Sequence, residues 1–201
     1  VADHDHPPAF ALQPPDLGHR ATSMEDLGRL SSDGFASAPK MPLRFVLDHI
    51  RSGQNVGSVF RTADAFRLHG MDLCGYTARP PHRDILKTAL GATEHVPWTG
   101  HEQTVVAIQG LQSQGFKVLA LEQASGATHL QDWAPSPDGQ WAVVLGNEVR
   151  GCSPEVLAAV DGVLEIPQFG VKHSLNVSVA AGMVCWQAYR ALGPPPAPAA
   201  S

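Results

Sequence analysis

Short runs of apolar residues recur along the chain and predict β-strands. Most of these runs are rich in Val, Leu, Ile or Phe and are followed by Gly, Pro or polar residues, as buried strands are. The predicted strands are residues 43–47, 72–76, 117–121, 141–145 and 162–166. The fourth reads Trp-Ala-Val-Val-Leu and is apolar throughout, which is typical of a strand buried on both faces of a sheet.

Apolar residues at spacings of three and four predict helices between these strands. In residues 55–68 they fall on one helical face: Val56, Val59, Phe60, Ala63 and Phe66. Helices are also predicted over residues 24–35, 104–114 and 178–192, with a helical turn at 84–90. A further helix opens at Ser153-Pro154, because serine caps a helix and proline fits its first turn.

The alternation of strands and helices predicts an α/β fold, with a mostly parallel sheet flanked by helices. Residues 22–192 form one predicted domain. Residues 1–21 and 193–201 lack an apolar period or are rich in proline, so we expect them to be flexible tails. Neither G-x-G-x-x-G nor the P-loop pattern follows a strand, which disfavours a dinucleotide-binding or P-loop enzyme.

The net charge of −5 argues weakly against nucleic acid, but the charges are segregated. Eight of the fourteen basic residues fall between Lys40 and Lys87, against four acidic ones in the same span. This basic half of the chain is either an anion-binding face or a solvated surface.

Composition bounds the remaining function classes. Three widely spaced cysteines, Cys74, Cys152 and Cys185, fit reduced thiols in a cytoplasmic protein and show no metal-ligand spacing. The histidines are scattered, so we expect no functional metal. No apolar run approaches the roughly 18 residues of a membrane span, and we expect no membrane association.

Three polar clusters each follow a predicted strand, where α/β proteins build ligand sites. The first contains Asn55, a candidate helix cap, and Gly57, which permits close approach of a backbone or a ligand. The second is the turn 146–151. The third is the loop 166–178, where Asn176 or Ser178 could cap the last helix. Each cluster could equally be a capped or polar turn without a ligand, and the first a surface pair of Arg61 with Asp64.

Together the clusters resemble the three sequence motifs of the SpoU/TrmH family. The matching segments are Asn55-x-Gly57-x3-Arg61-Thr-Ala, Leu-Gly-Asn147-Glu148-x-Arg-Gly151 and Ile166-Pro-x7-Leu175-Asn176-Val-Ser-Val-Ala. They occur in the family's order and near its spacing, and the resemblance spans residues 24–192. Family members are S-adenosylmethionine-dependent RNA ribose 2′-O-methyltransferases of the SPOUT superfamily. The family's usual methionine after Ile-Pro is replaced by Gln168, at a position used mainly through its backbone.

This resemblance implies a fold and an assembly. SPOUT proteins carry a deep trefoil knot at the carboxyl end, an exception to the rule that chains do not thread loops. Residues 166–174 would thread through the loop that follows strand 141–145. Such proteins are usually homodimers packed through the knot region. The last helix would then be buried around Met183, Trp186 and Tyr189, which could instead be ordinary core residues.

The resemblance also implies that S-adenosylmethionine binds in the knot, with its adenine held by backbone groups. An uncharged purine suits an apolar cleft with a few backbone partners. The implied cofactor-binding residues are Leu145, Gly146, Asn147, Gly151, Ile166, Pro167, Ser174, Leu175 and Asn176.

Five residues match the family's catalytic positions: Asn55, Arg61, Glu148, Ser174 and Asn176. The family's arginine is often assigned as a general base, but a guanidinium stays protonated in almost any protein site. We expect Arg61 instead to clamp a phosphate and to stabilise the developing alkoxide. Asn55 would orient Arg61 or the ribose, and Glu148 would hold Arg61 or the substrate. Ser174 and Asn176 would position the reacting groups.

The implied partner is RNA, either tRNA or rRNA. The candidate RNA contacts are basic residues, each of which could also be a solvated charge: Arg51, Arg61, Arg79, Arg83, Lys87 and Arg150. Two alternatives remain open. One is an RNA-binding or assembly protein that keeps the fold without catalysis, which the intact catalytic positions disfavour. The other is a SPOUT base methyltransferase, which the Ser-Leu-Asn-Val-Ser segment disfavours.

Overall fold

A computed structural model describes residues 21–23, 29–172 and 174–195. The chain divides into two compact units, residues 1–31 and 32–201. The described residues of the first unit are exposed and lie outside helices and strands. The helix predicted over residues 24–35 falls partly outside the described residues. Of its described part, the residues from Ser32 onward belong to a helix, Ser32–Ser37, here α1. Most of both predicted tails also lies outside the described residues.

The second unit alternates strands with helices, as the apolar pattern predicts. Its strands are β1 (Met41–Asp48), β2 (Leu68–Cys74), β3 (Trp98–His101), β4 (Phe116–Leu121), β5 (Thr128–His129), β6 (Gln140–Leu145) and β7 (Gly162–Glu165). The helices after α1 are α2 (Gly53–Ala65), α3 (Arg83–Ala89), α4 (Thr104–Ser113), α5 (Pro154–Ala159) and α6 (Val177–Leu192). Short 3₁₀ helices lie at Ala92–Glu94 and Leu130–Asp132. Within the described ranges, no helix is long and apolar enough to cross a membrane.

Seven strands form one sheet in the order β3-β2-β1-β6-β4-β7-β5. Every described strand pair is parallel, which confirms the predicted fold class. The carboxyl ends of parallel strands share one edge of a sheet. Because β1, β6, β4 and β7 are consecutive neighbours, the loops that follow them lie side by side at that edge.

Helices cover both faces of this sheet. Successive residues of a strand point to opposite faces, so Phe45 and Leu47 of β1 pack into one core and Val46 into the other. Residues of α2, α3 and α6 complete the first core, and residues of α4 and α5 complete the second. A fully buried Phe or Leu side chain contributes about 1.5–3 kcal/mol. The two cores therefore supply the stability that holds the loops at the sheet edge.

The helix predicted over residues 55–68 begins and ends earlier than expected. Its cap is Ser52, whose side chain accepts a hydrogen bond from the backbone N–H of Asn55, so the prediction that Asn55 is the cap is wrong. The helix ends at Ala65 because Arg67 adopts a left-handed φ of 51°. Leu68 then begins β2, which places the second strand four residues before its predicted start.

Two strands were not predicted. β3 has four residues and β5 has two, which is too short to show an apolar period. The cap predictions at the other helices hold more closely. Ser153 caps α5 through its side chain, Asn176 rather than Ser178 caps α6, and Gly193 follows the end of α6.

Candidate active site

The loop after β6 is shaped by the buried side chain of Asn147. Its amide nitrogen donates to the carbonyl oxygen of His49 at 2.7 Å and to the hydroxyl of Tyr76 at 2.9 Å. Its amide oxygen accepts from the backbone N–H groups of Val149 and Arg150, each at 3.0 Å. The backbone N–H and carbonyl of Asn147 also pair with those of Gly151 across the turn. Because these contacts occupy the side-chain amide and the backbone, Asn147 holds the loop in place.

The next residue, Glu148, joins this loop to the amino end of α2. One carboxylate oxygen accepts from the backbone N–H of Arg51 at 2.9 Å. The other accepts from the backbone N–H of Ser52 and the side-chain amide of Asn55, both at 3.1 Å. Partial burial opposes ionisation of the carboxyl, but hydrogen bonds from the amides of Arg51, Glu148 itself, Ser52 and Asn55 lower its pKa below the ordinary value. Glu148 is therefore a carboxylate anchored at a helix amino terminus, where negative charge is favoured.

Asn55 connects the first motif to the other two. Its side-chain N–H group donates to Glu148, and its amide oxygen accepts from the side chain of Asn176 at 3.1 Å. Asn176 in turn accepts from the backbone N–H and the hydroxyl of Ser178, at 2.9 Å and 2.7 Å. One chain of hydrogen bonds thus links residues from all three sequence clusters.

Arg61 lies apart from this chain of hydrogen bonds. Its exposed side chain lines a surface groove between α2, α3 and α6, together with Lys87 and Thr88. The described contacts of Glu148 and Asn55 do not include Arg61, so the expectation that these residues hold or orient it is not met here. Arg61 is free to meet a ligand that arrives from solvent.

Gly57 serves helix packing in this structure. A Cβ atom at this position would lie 2.1 Å from Oγ1 of Thr88 and 2.3 Å from the carbonyl oxygen of Ile85. The close approach that this glycine permits is therefore that of α3, and not that of a ligand at the start of α2.

A cavity of about 290 Å³ opens where the loops after β4, β6 and β7 meet. Seven of the nine predicted cofactor residues line it: Leu145, Gly146, Asn147, Gly151, Ile166, Ser174 and Leu175. Pro167 lines a second, more exposed cavity together with Phe169 and Trp186, and Asn176 lies outside the lining of the first. Most of the predicted cofactor residues therefore share one cavity, and their binding of a cofactor stays a prediction.

The comparison with protein families decides the identity. The SpoU rRNA Methylase family matches residues 42–186, well over half of the chain. The chain belongs to the SpoU/TrmH family. The family resemblance carried by the three motifs is therefore confirmed.

Individual relatives agree with this family. The chain is 33% identical over 145 residues to a protein of Staphylococcus haemolyticus named as a TrmH family tRNA/rRNA methyltransferase, covering 72% of this chain and 57% of that protein. It is 30% identical to a solved structure described as giving insights into 2-OH methylation of C/U34 on tRNA, with a TM-score of 0.66 and coverage of 75% and 95%. An AdoMet-bound rRNA methyltransferase of Sinorhizobium meliloti is 24% identical, with a TM-score of 0.68 and coverage of 76% and 60%, and shares the fold.

The lining of this cavity has the chemical character of a purine site. Its walls combine apolar side chains, such as Leu145 and Ile166, with main chain at two glycines, Gly146 and Gly151. A Cβ atom on Gly146 would lie 2.5 Å from the carbonyl carbon of Gly151, so only glycine allows the two backbones to meet. An apolar cleft edged by backbone donors and acceptors is suited to a purine.

Glu122 is a cavity residue that no motif of this SpoU/TrmH chain includes. It follows β4 directly, and its carboxylate accepts from the backbone N–H of Gln123 at 2.9 Å and of Cys152 at 2.8 Å. Gly151 has a left-handed φ of 66°, and a Cβ atom there would lie 2.2 Å from Oε2 of Glu122. The one available signal was its position, since it follows a strand of a parallel sheet as the three motifs do.

The predicted RNA contacts differ in their accessibility. Arg51, Arg83, Lys87 and Arg150 are exposed, as a phosphate contact requires. Arg79 instead donates to the carbonyl oxygen of His101 at 2.9 Å and lies 3.7 Å from Glu102. Its guanidinium is thus partly engaged at the edge of the sheet, and its contact with RNA stays a prediction.

Burial keeps the three cysteine thiols protonated. Burial chiefly raises the pKa of the Cys74 and Cys152 thiols to about 12, and it also raises the pKa of Cys185. All three are therefore neutral thiols at physiological pH. Among the described residues, no group of three or more His, Cys, Asp or Glu side chains is placed to hold a metal ion.

An apolar face surrounds the second cavity. Phe169 is 97% exposed, Trp186 56% and Met183 40%, and all three line this cavity. Tyr189 is only partly exposed and stacks on Trp186 with ring centroids 5.4 Å apart. Of the three residues expected at a dimer interface, Met183 and Trp186 are thus open to solvent, whereas Tyr189 packs mainly against the core.

Proposed function

We propose that this chain is an S-adenosylmethionine-dependent methyltransferase that modifies a ribose 2′-hydroxyl of tRNA or rRNA. The observation that carries the proposal is the hydrogen-bonded chain from Glu148 through Asn55 to Asn176, which lies beside a cavity suited to adenosine. Family membership supports the reaction class. The similarity to a structure described for 2-OH methylation on tRNA supports the ribose as the target.

In this proposal the cavity residues hold the cofactor through main-chain groups of Leu145 and Gly146 and apolar contacts from Ile166 and Leu175. The backbone N–H and carbonyl of Gly151 pair with those of Asn147, so Gly151 shapes the wall of the cavity. The bound cofactor supplies an electrophilic methyl group. Because the loops after three neighbouring strands build the cavity, its geometry is set by the sheet before the ligand arrives. Such preorganisation reduces the entropy that must be lost on the way to reaction.

Asn55 and Asn176 position the acceptor ribose in our proposal. Each side-chain amide is fixed by the other at 3.1 Å, and Asn55 is fixed further by Glu148. The amide oxygen of Asn55 accepts one described hydrogen bond and can accept a second from a ribose hydroxyl without losing side-chain freedom at that moment. Ser174, exposed and on the cavity wall, lies where cofactor and acceptor would meet.

Arg61 acts as an electrostatic clamp in this proposal. Its exposed guanidinium shares a groove with the ammonium of Lys87, so the groove attracts phosphate. A bound phosphate would draw the guanidinium toward the ribose and would stabilise the developing alkoxide. A general-base role would require a neutral guanidine, which proteins do not stabilise.

We also propose that the chain forms a knotted homodimer through its carboxyl-terminal region. The exposed apolar face at Phe169, Met183 and Trp186 supports this assembly, because contiguous apolar surface of this kind marks interfaces. Light scattering after gel filtration should give twice the chain mass of 21.3 kDa. Trp186→Glu should shift the protein to a monomer, whereas Val106→Glu, at a residue 55% exposed on α4, should not. A dimer that survives Trp186→Glu would place the interface elsewhere.

Calorimetric titration of S-adenosylmethionine and its demethylated product tests the proposed function first. Saturable binding should be followed by transfer of labelled methyl groups to unmodified tRNA and rRNA, and by nucleoside digestion with mass spectrometry. Recovery of 2′-O-methyl nucleosides supports the proposal, whereas label on a base nitrogen would reassign the reaction. RNA binding without cofactor binding would identify an RNA-binding protein that lacks catalysis.

A further inference from the structure

Among the residues that the structure describes, three charged side chains line the proposed cofactor cavity: Glu122, Glu148 and Arg150. Glu148 accepts three hydrogen bonds at the amino end of α2, so most of its lone pairs are used. Arg150 is exposed to solvent, where its charge is screened. Glu122 is only partly exposed, and each of its two oxygens accepts one described hydrogen bond.

Hydrogen bonds and close packing fix the position of Glu122, although its side chain is partly exposed. Its backbone N–H donates to the carbonyl oxygen of Leu164 on the neighbouring strand β7, at 2.9 Å. Its carboxylate accepts a hydrogen bond from the backbone N–H of Cys152. The carboxylate lies so close to Gly151 that position 151 has no room for a side chain. The negative charge is therefore held against the wall of the cavity, with lone pairs left for a ligand.

We propose that Glu122 makes this cavity favour the positively charged sulfonium cofactor over its neutral thioether product. This inference rests on the proposed function. The donor sulfur is a cation before methyl transfer and neutral afterwards. A fixed carboxylate on the cavity wall attracts only the first form, and with little solvent between the charges the attraction exceeds its value in water. The same carboxylate would then favour release of the product once the charge is gone.

The test compares ligands of different charge on the purified full-length chain. Titration calorimetry is run with S-adenosylmethionine, with S-adenosylhomocysteine, and with sinefungin, in which an amine provides a positive charge in place of the sulfonium. Glu122→Gln should lower the ratio of the Kd for S-adenosylhomocysteine to the Kd for S-adenosylmethionine by about fivefold or more. Fivefold corresponds to two unit charges about 4 Å apart with full aqueous screening. Sinefungin should follow S-adenosylmethionine.

Two further variants separate charge from structure. Glu122→Asp keeps the charge and shortens the side chain, so the ratio of the two Kd values should stay closer to that of the original protein than in Glu122→Gln. Glu102→Gln removes the same charge at a side chain that is 91% exposed, beyond β3 at the far edge of the sheet, and should leave both Kd values unchanged. If Glu122→Gln does not fold, Glu122→Ala replaces it in the comparison.

An equal loss of affinity for all three ligands in Glu122→Gln would overturn the proposal and would leave Glu122 a purely structural role beside Gly151. The proposed function would survive that result. Absence of saturable binding to the unaltered protein would be a different failure, because it would remove the cavity from cofactor binding and would refute both proposals.

Discussion

Replacing Glu148 with alanine removes the link between the second motif and the amino end of α2. The carboxylate accepts hydrogen bonds from the backbone N–H groups of Arg51 and Ser52 and from the side chain of Asn55. In Glu148→Ala these three donors lose their protein acceptor. One of these donors belongs to Ser52, the cap of α2, so the substitution should weaken the start of the helix that carries Asn55.

The expected cost follows from the kind of bonds lost. Hydrogen bonds to charged groups contribute about 1.5–3 kcal/mol each, but water can replace part of the loss at a half-exposed site. We therefore expect Glu148→Ala to lower the free energy of unfolding by about 2–3 kcal/mol, and not by the full sum. For a chain of this size, 1 kcal/mol shifts Tm by about 2–4 °C, so Tm should fall by about 4–12 °C.

Urea and thermal unfolding followed by circular dichroism measure this loss. Glu102→Ala is the matched control, since it removes a carboxylate that is 91% exposed, and it should stay within about 0.5 kcal/mol of the original protein. A double-mutant cycle with Asn55→Ala should give a coupling energy of at least about 0.5 kcal/mol. Unfolding of Glu148→Ala at the urea midpoint of the control would refute the anchoring role, as would a coupling energy of zero.

The remaining predictions concern pH, helix packing and catalysis. The pKa of Glu148 is lowered in the folded state, so its stabilising effect is present above the ordinary value of 4.5 and is lost as pH falls through the folded pKa. Glu148→Gln should therefore flatten the acid side of a plot of unfolding free energy against pH. Gly57→Ala places a Cβ 2.3 Å from the carbonyl oxygen of Ile85, so it should lower the free energy of unfolding in urea by about 1–3 kcal/mol. Gly110→Ala is the matched control inside α4, where open space surrounds the glycine, and it should raise the free energy of unfolding by about 0.5–1 kcal/mol. Arg61→Ala should abolish labelled methyl transfer while the calorimetric Kd for the cofactor stays within about twofold, since Arg61 lies outside the cavity lining; near-normal transfer would contradict both the clamp and the general-base assignments.

Most strands and helices could be predicted from the apolar pattern, because that pattern reflects which residues are buried. Residues 141–145 are apolar throughout, and β6 lies in the middle of the sheet with strands on both sides. The meeting of the three motifs followed from the same fact, since the ends of neighbouring parallel strands share one edge. Boundaries were less accurate where a single residue decides them. Ser52 begins α2 and Arg67 ends the following turn, and neither alters the apolar period.

The roles of individual polar residues were harder to predict, because a sequence shows residue types and not their partners. Asn147 was expected to bind a cofactor, yet its side-chain amide is occupied by the surrounding loop. Gly57 was expected to permit close approach of a backbone or a ligand, and the structure shows that the neighbour is α3. In both cases the motif position was informative, while the contacting atoms depend on elements far away in the sequence.

Glu122 shows why a motif can be incomplete as a description of a site. It lies about thirty residues before Gly151 in the sequence. The two residues nevertheless depend on each other, because a Cβ at Gly151 would lie 2.2 Å from Oε2 of Glu122. If the left-handed φ were the whole reason for glycine at position 151, the effect of Gly151→Ala would be the same with or without the Glu122 carboxylate. We expect the carboxylate to matter as well. In the Glu122→Ala background the clash with Oε2 is gone, so Gly151→Ala should lower cofactor affinity less than it does in the original protein. Equal effects of Gly151→Ala in both backgrounds would show that its left-handed backbone is the whole reason for glycine there.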